Sequence, residues 1–124
     1  MGRLLVKPGV DFGATMAPAG ARILQACKDY AKSVDIDLTI TSARDGVHSG
    51  SADPHHSGEA FDIRTKTLTP AQKTALVAGL RERLYREPRR FYCFLEDAGG
   101  SNEHVHVQKR AGTTYSIHDY LADL

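Results

Sequence analysis

The chain of 124 residues has no tryptophan, two cysteines and two methionines. Cys27 and Cys93 are too few for a disulfide framework, and no Cys-x-x-Cys pair offers a thiolate metal site or a redox motif. Both read as buried free thiols, small hydrophobes in a core. Also missing is any apolar run of about 18 residues, so no segment is expected to span a membrane. The stretch Met1-Gly2-Arg3-Leu4-Leu5-Val6-Lys7-Pro8-Gly9 is too short in its apolar part for a secretory signal, which leads to an expectation of synthesis in the cytoplasm with no signal peptide. Nor does charge of one sign prevail: 16 Lys and Arg stand against 15 Asp and Glu, a formal net charge of +1. Bulk electrostatics therefore favour neither nucleic acid nor an anionic membrane as partner. The short basic run 86–90 reads as a solvated turn. Internal repeats and low-complexity segments are absent.

The remainder is ordinary soluble-protein composition, 41% hydrophobic and 25% charged, and the length suits a single domain spanning residues 1–124 with one core. The first twenty residues, rich in Gly, Pro and Ala, read as a short strand or an extended lead-in. Ile23, Leu24, Cys27, Tyr30 and Ala31 recur at helical spacing and predict a helix from Ala21 to Ser33. Asp37 to Thr41 alternates polar and apolar, as a half-buried strand does. Residues 42–57 carry turn chemistry without periodicity and read as a long loop, a length that in compact domains usually has a function. Glu59 to Arg64 predicts a strand with Ala60 and Asp62 on one face and Phe61 and Ile63 on the other. Thr69 as N-cap and Pro70 at the first position open a helix to about Tyr85, striped with Leu76, Leu80 and Leu84. Residues 90–96 and 104–108 read as a hairpin around Gly99-Gly100, and Ser116 caps a short last helix. This order predicts an α+β fold, with helices against one face of a small, mostly antiparallel sheet.

Histidine is where the chemistry gathers. Four of the six fall in two short segments, His55-His56-Ser57-Gly58-Glu59-Ala60-Phe61-Asp62 and Glu103-His104-Val105-His106. Period-2 geometry puts His104 and His106 on one strand face. Asp62 lies on another strand, and His55 enters from the loop before it. Two imidazoles and a carboxylate can converge on one ion, and N/O donors suit zinc, with manganese, cobalt and nickel as chemical competitors. Arg64, two residues beyond Asp62, reads as a structural residue, with pairing to a carboxylate near the site as the alternative.

These motifs resemble those of the zinc D-alanyl-D-alanine carboxypeptidase family, which includes D,D-dipeptidases and phage L-alanyl-D-glutamate endolysins and shares its fold with the hedgehog signalling domain. His55-x-x-Gly58-x-Ala60-x-Asp62 resembles the first zinc motif, and Glu103-His104-Val105-His106 the second. The resemblance, over roughly Leu38 to Gln108, implies that His55, Asp62 and His106 bind Zn2+ and that Glu103 is the catalytic base. It implies that His104 sits beside the metal and hydrogen-bonds substrate, and that Arg44 binds substrate and polarises the scissile carbonyl. A serine often stands two residues before the first histidine. Asp53 holds that place here, and Ser51 is the nearest candidate for the role. Glu96, at the end of the preceding strand, is the alternative base, as hedgehog-like members suggest. Strict alternation points Glu103 away from His104 and His106, so Glu103 requires a bend at the strand start.

The expectation is a monomeric zinc metallopeptidase that cuts an amide bond in bacterial peptidoglycan stem peptides, of L-Ala–D-Glu endopeptidase or D,D-carboxypeptidase type. Its partner is the cell wall, and a phage or prophage lysis enzyme fits that reading. The rival expectations are a hedgehog-like zinc-bearing binding domain without turnover and a structural zinc site. Closed structural sites favour cysteine, and neither cysteine lies in the motifs.

Overall fold

The computed structural model describes residues 2–12, 16–43 and 59–124. Among these residues, five strands and three helices follow one another as β1 (Leu4–Val6), α1 (Pro18–Val34), β2 (Leu38–Ser42), β3 (Ala60–Arg64), α2 (Pro70–Leu84), β4 (Phe91–Glu96), β5 (His104–Lys109) and α3 (Ile117–Asp123). The fold is α+β: one five-stranded sheet, ordered β1-β2-β3-β5-β4, flanked by three helices. β1 runs parallel to β2, and the other three pairings are antiparallel. None of the described helices is long and apolar enough to cross a membrane.

The helices begin where local chemistry starts them. α1 opens with proline at its first turn, at Pro18 rather than at Ala21, where the sequence predicts the start. α2 has a full capping box, with Thr69 Oγ1 accepting from Gln72 N and Gln72 Oε1 accepting from Thr69 N. Ser116 and Asp119 make the same exchange at the start of α3.

Alternation gives the sheet two unlike faces. Leu38, Ile40, Phe61, Ile63, Cys93, Val105 and Val107 point to the helix side and are fully or almost fully buried. Ile23, Cys27 and Tyr30 of α1 and Leu76, Leu80 and Leu84 of α2 cover them. The cysteines are free and buried. Burial pushes both thiols up, that of Cys93 to about 12, which leaves them un-ionised and inert. The opposite face carries Asp62 and Arg64 of β3, His104, His106 and Gln108 of β5, and Tyr92, Phe94 and Glu96 of β4. All the polar chemistry of the central strands is therefore on the side away from the core.

Candidate metal centre

Strand register assembles the site. β5 lies between β3 and β4, so each histidine has a neighbour on both sides. Asp62 and Phe94 stand opposite His106, and Arg64 and Glu96 stand opposite His104. Between Ile40 and Ser42 the β2–β3 register slips, so that Ser42 pairs with Asp62 directly after Ile40 pairs with Ile63. Such a bulge increases local twist beside the strand that carries the carboxylate.

One ligand-type atom from each of Asp62, His104 and His106 lies within 4.8 Å of the others. His106 Nδ1 is 2.9 Å from Asp62 Oδ1, and His104 Nε2 is 3.6 Å from the same oxygen. Glu96 Oε1 is 2.8 Å from His104 Nε2 and 3.9 Å from His106 Nδ1.

The outer nitrogen of each ring is held by an acceptor. His104 Nδ1 donates to the Asn102 carbonyl at 2.7 Å. That leaves Nε2 facing the carboxylates. His106 Nε2 lies 2.7 Å from Gln108 Oε1, and Gln108 Nε2 donates to the Lys109 carbonyl, which turns its oxygen towards the ring. His106 therefore presents Nδ1 to Asp62. Hydrogen bonds of this kind fix ring orientation and tautomer around metal ligands. Burial opposes the imidazolium of His106. The hydrogen bonds to Asp62 and Gln108 and the charges of Asp62 and Glu96 outweigh it, and hold the pKa above the ordinary 6.5.

This donor set fits a divalent ion: two imidazole nitrogens and a carboxylate oxygen face one another, and an ion would take the place of the protons that the ring nitrogens share with Asp62 and Glu96. The structure thus supports a metal-binding role for the cluster, and the donor types alone do not separate zinc from its neighbours.

Glu103 sits elsewhere. Its carboxylate accepts from Thr65 Oγ1 at 2.7 Å and from Gly99 N at 2.9 Å, and pairs with Lys73 Nζ of α2 at 2.6 Å. Those partners, the Gly99 amide first, hold its carboxyl down at about 2. Gly99 reaches it from a backbone at φ +79°, a conformation that favours glycine. The bend at the strand start thus turns Glu103 towards α2, and the acid beside the histidines is Glu96. His55, Arg44 and Ser51 lie outside the described residues, as do His48 and His56. The sixth histidine, His118, is on α3.

Two participants were not singled out from the sequence. Gln108 continues the same-face series His104, His106, Gln108, a period-2 signal that was there to find. The Asn102 carbonyl has no sequence signal, because every residue carries a carbonyl. A larger cleft of about 860 Å³ lies at Arg3, Lys28, Lys32, Asp35 and Asp37, and none of its described lining residues is a histidine or cysteine. Compared with family models, curated proteins and solved structures, the chain matches none.

Proposed function

We propose that this protein is a zinc-dependent amidohydrolase of the D-alanyl-D-alanine carboxypeptidase type, acting on bacterial peptidoglycan stem peptides. The observation that carries the reading is the convergence of Asp62, His104 and His106 on the open face of the sheet, with Glu96 beside them. The two spaced motifs of the sequence support the substrate class.

A divalent ion in this set supplies Lewis acidity towards an amide carbonyl and lowers the pKa of water. The chain's own residues do the rest. Glu96, a half-exposed carboxylate next to His104, takes a proton from the attacking water and returns it to the leaving amine. Asn102 and Gln108 keep the imidazoles aimed inward, so little reorganisation is needed during the reaction. Glu103 anchors the β4–β5 turn to α2 through Lys73 and to the end of β3 through Thr65. It is a positioning residue for His104 in this assignment, and Glu96 is the base.

The test is release of muropeptides from purified sacculi, followed by mass spectrometry, with and without chelator. Chelator-sensitive release of fragments cut at L-Ala–D-Glu or D-Ala–D-Ala supports the proposal and identifies the bond. Zinc binding without any release overturns it in favour of the hedgehog-like binding domain.

A further inference from the structure

A cleft of about 360 Å³ opens beside the metal cluster, with Asp62 and His104 in its wall and Lys7, Arg64 and Lys66 around it. We propose that these three cations form an anchoring subsite for a substrate carboxylate next to the metal. This rests on the hydrolase reading above and names the substrate feature that the site selects.

Three different segments bring the cations together. Lys7 follows β1, and its amide donates to the Ile40 carbonyl, which pins the segment to β2. Arg64 ends β3, in register with His104. Lys66 lies in the turn after β3, closed by the Leu68 amide on the Thr65 carbonyl.

The charge balance of the cleft is positive. Asp62 is shared by two histidines, and Glu103 is taken by Lys73. Among the described residues, Lys7, Arg64 and Lys66 have no carboxylate partner, whereas Arg3, Lys73, Arg90 and Lys109 each have one. Arg64, which the sequence suggests is structural or paired with a carboxylate near the site, lines the cleft instead. Like charges gathered in a concave site focus the field and raise the local concentration of anions. The Arg64 fork matches a carboxylate in two parallel hydrogen bonds, and the lysines add point charge. A stem peptide offers such a group in the free α-carboxylate of a γ-linked D-glutamyl residue.

The experiment uses two synthetic stem peptides that differ only there, carboxylate against carboxamide, on the zinc-loaded full chain. Both hydrolysis and binding by NMR titration are measured. The expected result is a preference of about tenfold for the carboxylate peptide, weakened by added salt. In the double variant Arg64→Gln/Lys66→Gln the preference falls to about twofold or less, with zinc content and melting temperature held. Binding that discriminates in this way without hydrolysis keeps the subsite and sinks the hydrolase reading. Hydrolysis with no preference, or a preference that survives in the double variant, overturns the subsite and leaves the hydrolase reading standing. If the double variant unfolds, the single changes Arg64→Lys and Lys66→Gln decide. The first is expected to weaken the preference while keeping charge, because the bidentate fork is lost.

Discussion

Two carboxylates compete for one role, and at the scale of single residues their surroundings separate them. Glu103 is saturated by a lysine, a hydroxyl and an amide, while Glu96 has one close partner, His104 Nε2, and a side chain 37% exposed to water. A base needs a free lone pair and access to water, so under the proposed function Glu96 is the better placed of the two. Glu96→Gln is expected to keep zinc and fold and to lower turnover by roughly 10²–10⁴. Glu103→Gln is expected to lower the melting temperature and cost much less turnover, because it loses the ion pair with Lys73 that ties the turn down. Steady-state rates and melting curves of the two variants decide the matter. A dead Glu103→Gln with full stability and an active Glu96→Gln would reverse the assignment.

Helix α2 shows how packing overrides propensity at the scale of an element. Gly79 sits in its interior, where alanine is normally better by about 1 kcal/mol. Yet a methyl group at Gly79 would stand 2.1 Å from Cε1 of Tyr30, a ring buried between α1 and α2. Displacing a buried ring costs typically 1–3 kcal/mol, so the clash wins. Gly79→Ala is expected to destabilise the protein by about 1–2 kcal/mol in denaturant unfolding, where propensity alone expects a gain. The start of α3 gives a pH dependence. Hydrogen bonds from the Ser116 amide, then from its hydroxyl, and pairing with Arg90 hold Asp119 below the ordinary 3.8. A depressed carboxyl binds fewer protons in the folded state, so its stabilisation is present above about 3.8 and is lost as pH falls through the folded value. Melting temperature measured down the acid limb should therefore fall less steeply for Asp119→Asn than for the parent protein. Equal slopes would remove Asp119 from the acid response.

For the whole molecule, the decisive arrangement is the division of labour between the faces of one sheet. The helices and the core lie on one side, and the metal cluster lies on the other. Under the proposed function, removal of the ion should leave the core intact, unlike in a zinc finger, where the metal supplies the folding free energy. Chelation is expected to abolish hydrolysis and preserve the far-ultraviolet circular dichroism spectrum. It should also lower the melting temperature by roughly 10 °C relative to protein in a hundredfold excess of zinc over its dissociation constant. Loss of the helical spectrum on chelation would contradict the two-face arrangement.

The alternation in β3 and β5 and the caps of α2 and α3 were legible in the sequence because they depend on near neighbours. Period 2 places His104 with His106 and separates Asp62 from Phe61 whatever the rest of the chain does. Thr69-Pro70 and Ser116 mark helix starts through hydrogen bonds three residues long. The motifs likewise singled out Asp62, His104 and His106, which the strands bring together, whereas His55 lies outside the described residues. What the sequence left open depended on register and on the path of the turn between strands. Placing β5 between β3 and β4 brought Asp62 and Glu96 to the two sides of one histidine pair. The 97–103 turn sent Glu103 towards Lys73, a residue thirty positions away whose approach no local pattern encodes. The same pairing left Arg64 opposite His104 and joined it with Lys7 and Lys66 around one cleft. Local hydrogen bonding and periodicity determine which face a side chain takes. Only long-range strand pairing decides which side chains that face brings together.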